Sequence, residues 1–142
     1  DMPTVEDLRM VLAAYRIRGM LGFRSRRAEV ARIRREVTGA VHSVQPRTVV
    51  MVFEGADGAS RRRVDRIARH VTRDIRVAAT NAVGSDTTVI GLVVMTGQER
   101  DLAATCVRHV AVEPPERGDG LVFHAADLRR ANIYELIEEA VV

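Results

Sequence analysis

The chain contains no lysine and no tryptophan, and it has only one cysteine, Cys106, among its 142 residues. A single cysteine excludes an internal disulfide and a cysteine-rich metal site, and we expect it to be a buried thiol rather than a nucleophile. No apolar run approaches the roughly 18 residues that cross a membrane. We therefore expect no membrane partner and predict a cytoplasmic or otherwise intracellular protein.

Aromatic residues are also scarce, at 4% of the chain. Proteins that bind single-stranded nucleic acid stack bases on exposed aromatic rings, so this composition favours contacts to a nucleic-acid backbone over recognition of bases. The histidines do not have the spacing of metal ligands; they are His42, His70, His109 and His124. We predict no metal and no cofactor, and the sequence favours a protein that is not an enzyme.

All 22 basic residues are arginines, for which codon bias in a GC-rich genome is the simplest cause. Their distribution is uneven. Residues 21–80 hold 14 arginines and 6 acidic residues, whereas residues 81–142 hold 5 arginines and 10 acidic residues. The basic part could bind a polyanion, or the two parts could bind each other in neighbouring copies of the chain.

Residues 1–45 are predicted to form an N-terminal helical hairpin. Gly19 and Gly22 separate two segments, and Ser25 can cap the second. In both segments apolar residues recur three or four positions apart: Leu8, Val11, Leu12 and Tyr15 in the first, and Val30, Ile33, Val37 and Val41 in the second.

Residues 46–142 are predicted to form an α/β core, so that residues 1–142 make a single α+β domain. Short apolar, β-branched runs indicate strands, and helical spacing indicates helices. The predicted strands are 48–53, 75–82, 87–95 and 107–112, with helices at 60–72 and 98–106. This order is the ferredoxin-like, split β-α-β-β-α-β core, followed by an additional C-terminal strand at 121–124 and a helix at 127–140.

An arginine row on the helix at 60–72 is the main candidate site. Its members are Arg62, Arg66, Arg69 and Arg73, which fall within about 60° of each other on a helix. We expect them to contact phosphates of RNA or DNA, with Arg27, Arg34 and Arg35 in support. The alternatives are a solvated helix face and a surface for an acidic protein.

The turn after the strand at 48–53 is a second candidate site. Residues 53–61, Phe-Glu-Gly-Ala-Asp-Gly-Ala-Ser-Arg, resemble the phosphate-binding loop of nucleoside-monophosphate and polyphosphate kinases, Phe-Glu-Gly-x-Asp-Gly-Ala-Gly-Lys. Ser60 replaces the glycine before the lysine, Arg61 the lysine, and Arg62 the magnesium-binding Ser or Thr. The resemblance implies a small phosphate- or nucleotide-binding domain that uses Gly55, Gly58, Ser60 and Arg61; the alternative is a plain strand-to-helix turn.

The closing helix carries the acidic residues Glu135, Glu138 and Glu139. These carboxylates could meet the arginine row of a second copy and form a homo-oligomer. The sequence therefore favours a non-enzymatic binding module that contacts nucleic acid. A protein-interaction or self-assembly module is the second reading, and a phosphate-binding domain is the third.

Overall fold

Strands and helices alternate along the chain from residue 10 onward. A computed structural model describes residues 10–19, 23–83 and 87–141. The elements are β1 (Met10–Arg18), α1 (Phe23–Val44), β2 (Thr48–Ala56), α2 (Arg61–Val83), β3 (Thr88–Val94), α3 (Gly97–Val112), β4 (Val122–His124), a 3-10 helix (Ala125–Arg129) and α4 (Ile133–Val141).

The four strands form one parallel sheet in the order β1-β2-β3-β4. Parallel sheets are covered on both faces, and their inner strands are apolar throughout. Along β2, Val49, Met51 and Phe53 point to one face, and Val50 points to the other. All seven residues of β3 are buried.

Helices α1 and α2 cover one face of the sheet, and α3, the 3-10 helix and α4 cover the other. We call these the basic layer and the acidic layer. The basic layer holds 13 arginines and four acidic residues, for a net charge of +9. The acidic layer holds three arginines and six acidic residues, for a net charge of −3. No helix in the described ranges is both long and apolar enough to cross a membrane.

The change of layer occurs between β2 and β3. The chain leaves β2 toward α2 in the basic layer, and it leaves β3 toward α3 in the acidic layer. The strands follow one another in one direction across the sheet, and α3 lies on the face opposite to α1 and α2. The β3-α3-β4 crossover therefore has the opposite hand to the two before it, and a mixture of hands within one parallel sheet is rare. The two connections leave the carboxyl ends of the neighbouring strands β2 and β3 toward opposite faces, an arrangement at which α/β proteins commonly bind ligands.

The predicted N-terminal helical hairpin is wrong, because residues 10–18 form the strand β1. The apolar residues of this segment fit a helical spacing, and they also fit the two-residue period of a strand. Every second residue, Val11, Ala13, Tyr15 and Ile17, lies on one side of such a strand. Pairing with β2 satisfies the period of two and directs these four residues toward the basic layer. The predicted second helix is present as α1. Residues 1–9 and 20–22 of the predicted hairpin lie outside the described residues.

The structure confirms a mixed α/β chain but not the ferredoxin-like arrangement, because all four strands are parallel. The predicted strands at 75–82 and 107–112 are the C-terminal parts of α2 and α3. Their β-branched residues indicated strands, but buried residues continue four positions apart, as in Val71, Ile75 and Ala79. The strands predicted at 48–53, 87–95 and 121–124 are confirmed as β2, β3 and β4.

Candidate nucleic-acid interface

The arginine row lies on the solvent side of α2. Arg62, Arg66, Arg69 and Arg73 are all exposed. The opposite side of the helix packs on the sheet through Val64, Ala68, Val71 and Ile75, which are buried. From Arg62 to Arg73 the helix rises about 16 Å, at 1.5 Å per residue. The row therefore presents guanidinium groups over a length comparable to about five phosphates of one DNA strand, at 3.4 Å each.

Most of this row carries unneutralised charge. Arg69 donates a 2.8 Å hydrogen bond from Nε to Oδ2 of Asp65, one turn earlier. Arg62, Arg66 and Arg73 form no ion pair within the described part of the chain. Like charges three and four positions apart destabilise a helix by a few tenths of a kcal/mol per pair. An anionic partner would relieve this repulsion.

Helix α1 extends the basic surface beside α2. Arg34 and Arg35 are exposed, and Nε of Arg34 lies 3.5 Å from Oδ2 of Asp74 on α2. Asp74 also lies 3.5 Å from Nε2 of His70. Arg27 is also exposed and lies about two helical turns before Arg34 on α1. All seven arginines predicted from the sequence therefore belong to the basic layer.

The turn predicted to bind phosphate is closed by its own backbone. The Ala59 N–H donates to Ala56 O at 3.0 Å, and the Ser60 hydroxyl accepts from the Arg63 N–H at 3.2 Å, which caps α2. Gly58 takes a φ of +78°, in the left-handed region that favours glycine. Gly55 lies at the end of β2, where a side chain would collide with Met95.

Arg61, the fourth residue of that predicted phosphate site, turns toward α3 instead. Its two terminal nitrogens donate to the two carboxylate oxygens of Glu99 at 3.3 and 2.9 Å. Glu99 is only 2% exposed and also accepts from the Met95 N–H and the Thr96 hydroxyl. Burial acts to raise the pKa of Glu99, but these donors outweigh it and lower that pKa below its ordinary value.

A second ion-pair group lies beside the first at the carboxyl edge of the sheet. His124 at the end of β4 bonds through Nε2 to Oδ1 of Asp65 at 2.8 Å, and its Nδ1 lies 3.4 Å from Nη1 of Arg61. Arg100 at the start of α3 pairs with Glu54 at the end of β2. Desolvation acts to raise the pKa of Asp65, but bonds from Arg69 and His124 lower it. Intrachain pairs thus occupy this edge of the sheet and connect the two layers.

The sequence analysis missed this cluster because its members come from four elements. One local signal existed: Thr96 and Glu99 form a capping box, in which the Glu99 N–H donates to the Thr96 hydroxyl at 3.1 Å. Among the described residues, no group of histidine, cysteine and acidic side chains could hold a metal ion. Cys106 is buried, and burial raises the pKa of its thiol to about 11.

The acidic residues of α4 are partly neutralised within the chain. Glu138 pairs with Arg117 at 3.2 Å, and Glu139 pairs with Arg130 at 3.1 Å. Arginines of a second copy would have to replace these pairs. Glu138 and Glu139 of α4 are therefore less available to pair with the arginines of the basic layer in a second copy.

No protein-family model matches the chain, and no curated protein or solved structure matches it either.

Proposed function

We propose that this protein binds nucleic acid through the basic layer, by contacts to the phosphate backbone. One observation carries the proposal: three of the four exposed arginines in the row on α2 have no ion-pair partner in the described chain, and the row lies on a layer whose net charge is +9. Guanidinium groups donate forked hydrogen bonds that suit phosphate oxygens. Backbone contacts carry little sequence information, so we expect weak sequence preference.

The strength of binding should depend steeply on salt. Each arginine that neutralises a phosphate releases a condensed counterion, which gives a slope of about −0.9 per contact in a plot of log affinity against log salt. Four to seven contacts on duplex DNA correspond to a slope of about −4 to −6. Fluorescence anisotropy with labelled RNA and DNA at several salt concentrations measures this slope.

Charge reversal within the row tests which surface binds. The double variant Arg66→Glu/Arg69→Glu should abolish binding at moderate salt, because it converts the centre of the row from positive to negative. The matched control is Arg108→Glu/Arg129→Glu, which changes the net charge equally at two exposed positions of the acidic layer. Equal loss in both variants, or none in the first, would contradict the proposal.

The self-assembly hypothesis predicts a different result from the same variants. An oligomer held by the basic layer and α4 would dissociate at high salt and in Arg66→Glu/Arg69→Glu, without any affinity for nucleic acid. Sedimentation at low and high salt measures this. The intrachain pairs of Glu138 and Glu139 make it the weaker hypothesis. The engagement of Arg61 by Glu99 likewise weakens the phosphate-site hypothesis.

A further inference from the structure

An open groove of about 810 Å³ lies between β1 and α1, at the edge of the sheet. Its walls carry four arginines and two glutamates: Arg16, Arg18, Arg32 and Arg35, with Glu29 and Glu36. The groove is therefore cationic, and its volume is within the range of small-ligand sites. β1 is the edge strand, and this groove follows it.

Tyr15 forms part of this wall, and its position distinguishes it from the other described aromatic side chains. Phe53 and Phe123 are buried in the two cores. Tyr134 lines a groove with three glutamates and one arginine, Arg117, so the charge around it is net negative. Among the aromatic side chains that the structure describes, only Tyr15 lies in a groove whose lining is net positive.

Tyr15 is half-buried against the core of the basic layer, and contacts from α1 hold its ring in place. Its hydroxyl donates to Oε2 of Glu36 at 3.1 Å, which fixes the ring against α1. The Arg32 guanidinium lies 6.0 Å from the ring centroid, at the outer limit of a cation–π contact. Arg32 also makes exposed pairs with Glu29 and Glu36 at 3.9 and 3.3 Å, which are weak. A flat, uncharged group could displace Arg32 from the ring at low cost.

We propose that the groove is a single-strand nucleic-acid subsite, in which a base stacks on Tyr15 and the flanking phosphates bind Arg32 and Arg35. The inference rests on the proposed function and specifies its substrate class. Proteins that bind single strands combine a cationic groove with aromatic rings that stack bases. A base inside a duplex is already paired and stacked on its neighbours and is not available to the Tyr15 ring, so the subsite selects single strands over duplexes.

The groove is continuous with the arginine row. Arg35 lines it and also lines a shallower depression on α1 with Arg34. Arg34 in turn lies beside Asp74 of α2. A strand that follows the row on α2 can therefore cross α1 over Arg34 and Arg35 and enter the groove at Tyr15.

The test compares Tyr15→Leu with the matched control Tyr134→Leu, using a labelled oligothymidine and a duplex of equal length in anisotropy titrations. Tyr15→Leu should weaken binding of the single strand by about tenfold or more, because one stacked base is lost. Its affinity for the duplex should be unchanged, and Tyr15→Phe should bind as the wild type does. Circular dichroism checks that each variant folds.

Tyrosine fluorescence gives a second readout, because the chain contains no tryptophan and only two tyrosines. In the Tyr134→Phe variant, Tyr15 is the only tyrosine, and oligothymidine should quench its emission whereas the duplex should not. Quenching by both nucleic acids, or by neither, would overturn the inference.

The outcomes separate the two proposals. If Tyr15→Leu binds the single strand as the wild type does while Arg66→Glu/Arg69→Glu does not bind, the subsite is wrong and the proposed function stands. An equal loss on single strand and duplex in a folded Tyr15→Leu variant also overturns the subsite. If the wild type binds neither nucleic acid at low salt, both proposals fail.

Discussion

Both helical layers pack on an apolar face of the sheet, but they differ in the charges on their outer surfaces. The basic layer consists of two long helices, of 22 and 23 residues, that pack side by side and leave arginines on their outer surface. The acidic layer consists of α3, a short 3-10 helix and α4, and its charges are mostly paired, as in Arg117–Glu138 and Arg130–Glu139. Both layers have buried apolar cores.

This difference shows that the net charge of +3 is a poor description of the molecule. The charge is separated across the thickness of the sheet, from +9 on one layer to −3 on the other. Paired charges on an exposed surface contribute little to stability and attract no partner strongly. The unpaired arginines of the basic layer are the ones that create an electrostatic potential for a polyanion.

The largest expected change in the free energy of unfolding comes from substitutions in the two hydrophobic cores. Phe53 faces the basic layer and Leu92 faces the acidic layer, and both are fully buried. Phe53→Ala should lower the free energy of unfolding by about 3–5 kcal/mol, and Leu92→Ala by about 2–5 kcal/mol, because each leaves a cavity. Urea unfolding followed by circular dichroism should show one transition in each variant. Two separate transitions would mean that the layers unfold independently.

An intermediate effect is expected at Glu99, which connects the layers through Arg61. Glu99→Ala should lower the free energy of unfolding by about 2–4 kcal/mol, because it removes a buried carboxylate that accepts hydrogen bonds from Arg61 and from the Met95 N–H. The control is Asp101→Ala, which removes an exposed carboxylate from the same helix and should change it by less than about 0.5 kcal/mol. Similar losses in both variants would argue against a connecting role.

Glu99 also gives the connection a pH dependence. Its pKa is lower in the folded protein than the ordinary value of 4.5, so its stabilising contribution is present above about pH 4.5 and is lost as the pH falls through the folded pKa. Glu99→Gln should therefore show a smaller decrease in unfolding free energy than the wild type does in that acidic range. Asp101→Asn should retain the pH dependence of the wild type.

The smallest expected change in the free energy of unfolding comes from replacing single exposed arginines, and its sign should differ between an unpaired and a paired arginine. Arg66→Gln should raise the free energy of unfolding by about 0.2–0.5 kcal/mol at low salt, because it relieves repulsion from Arg62 and Arg69. Arg117→Gln removes an exposed pair with Glu138 and should lower it by at most about 0.5 kcal/mol. High salt should reduce both effects. A destabilising Arg66→Gln would mean that this arginine has a partner within the fold.

Local patterns in the sequence determined part of this structure. The run from Thr48 to Phe53 and that from Thr87 to Met95 are continuous, β-branched and apolar, which is typical of buried parallel strands, and they form β2 and β3. The helical spacing of Arg62, Arg66, Arg69 and Arg73 placed them on one face of α2, because their direction depends only on the helix period.

Only the tertiary structure decided the rest. The pattern of residues 10–18 fits a helix and a strand equally well. These residues form a strand because β2 provides hydrogen-bond partners along their whole length. Tyr15 consequently lies at the groove between β1 and α1 and not on a helix. Likewise, Arg61 and Glu99 lie 38 positions apart and meet because α2 and α3 begin at the carboxyl ends of neighbouring parallel strands, β2 and β3. Periodicity reports the faces of one element, whereas contacts between elements depend on how the whole sheet is wound.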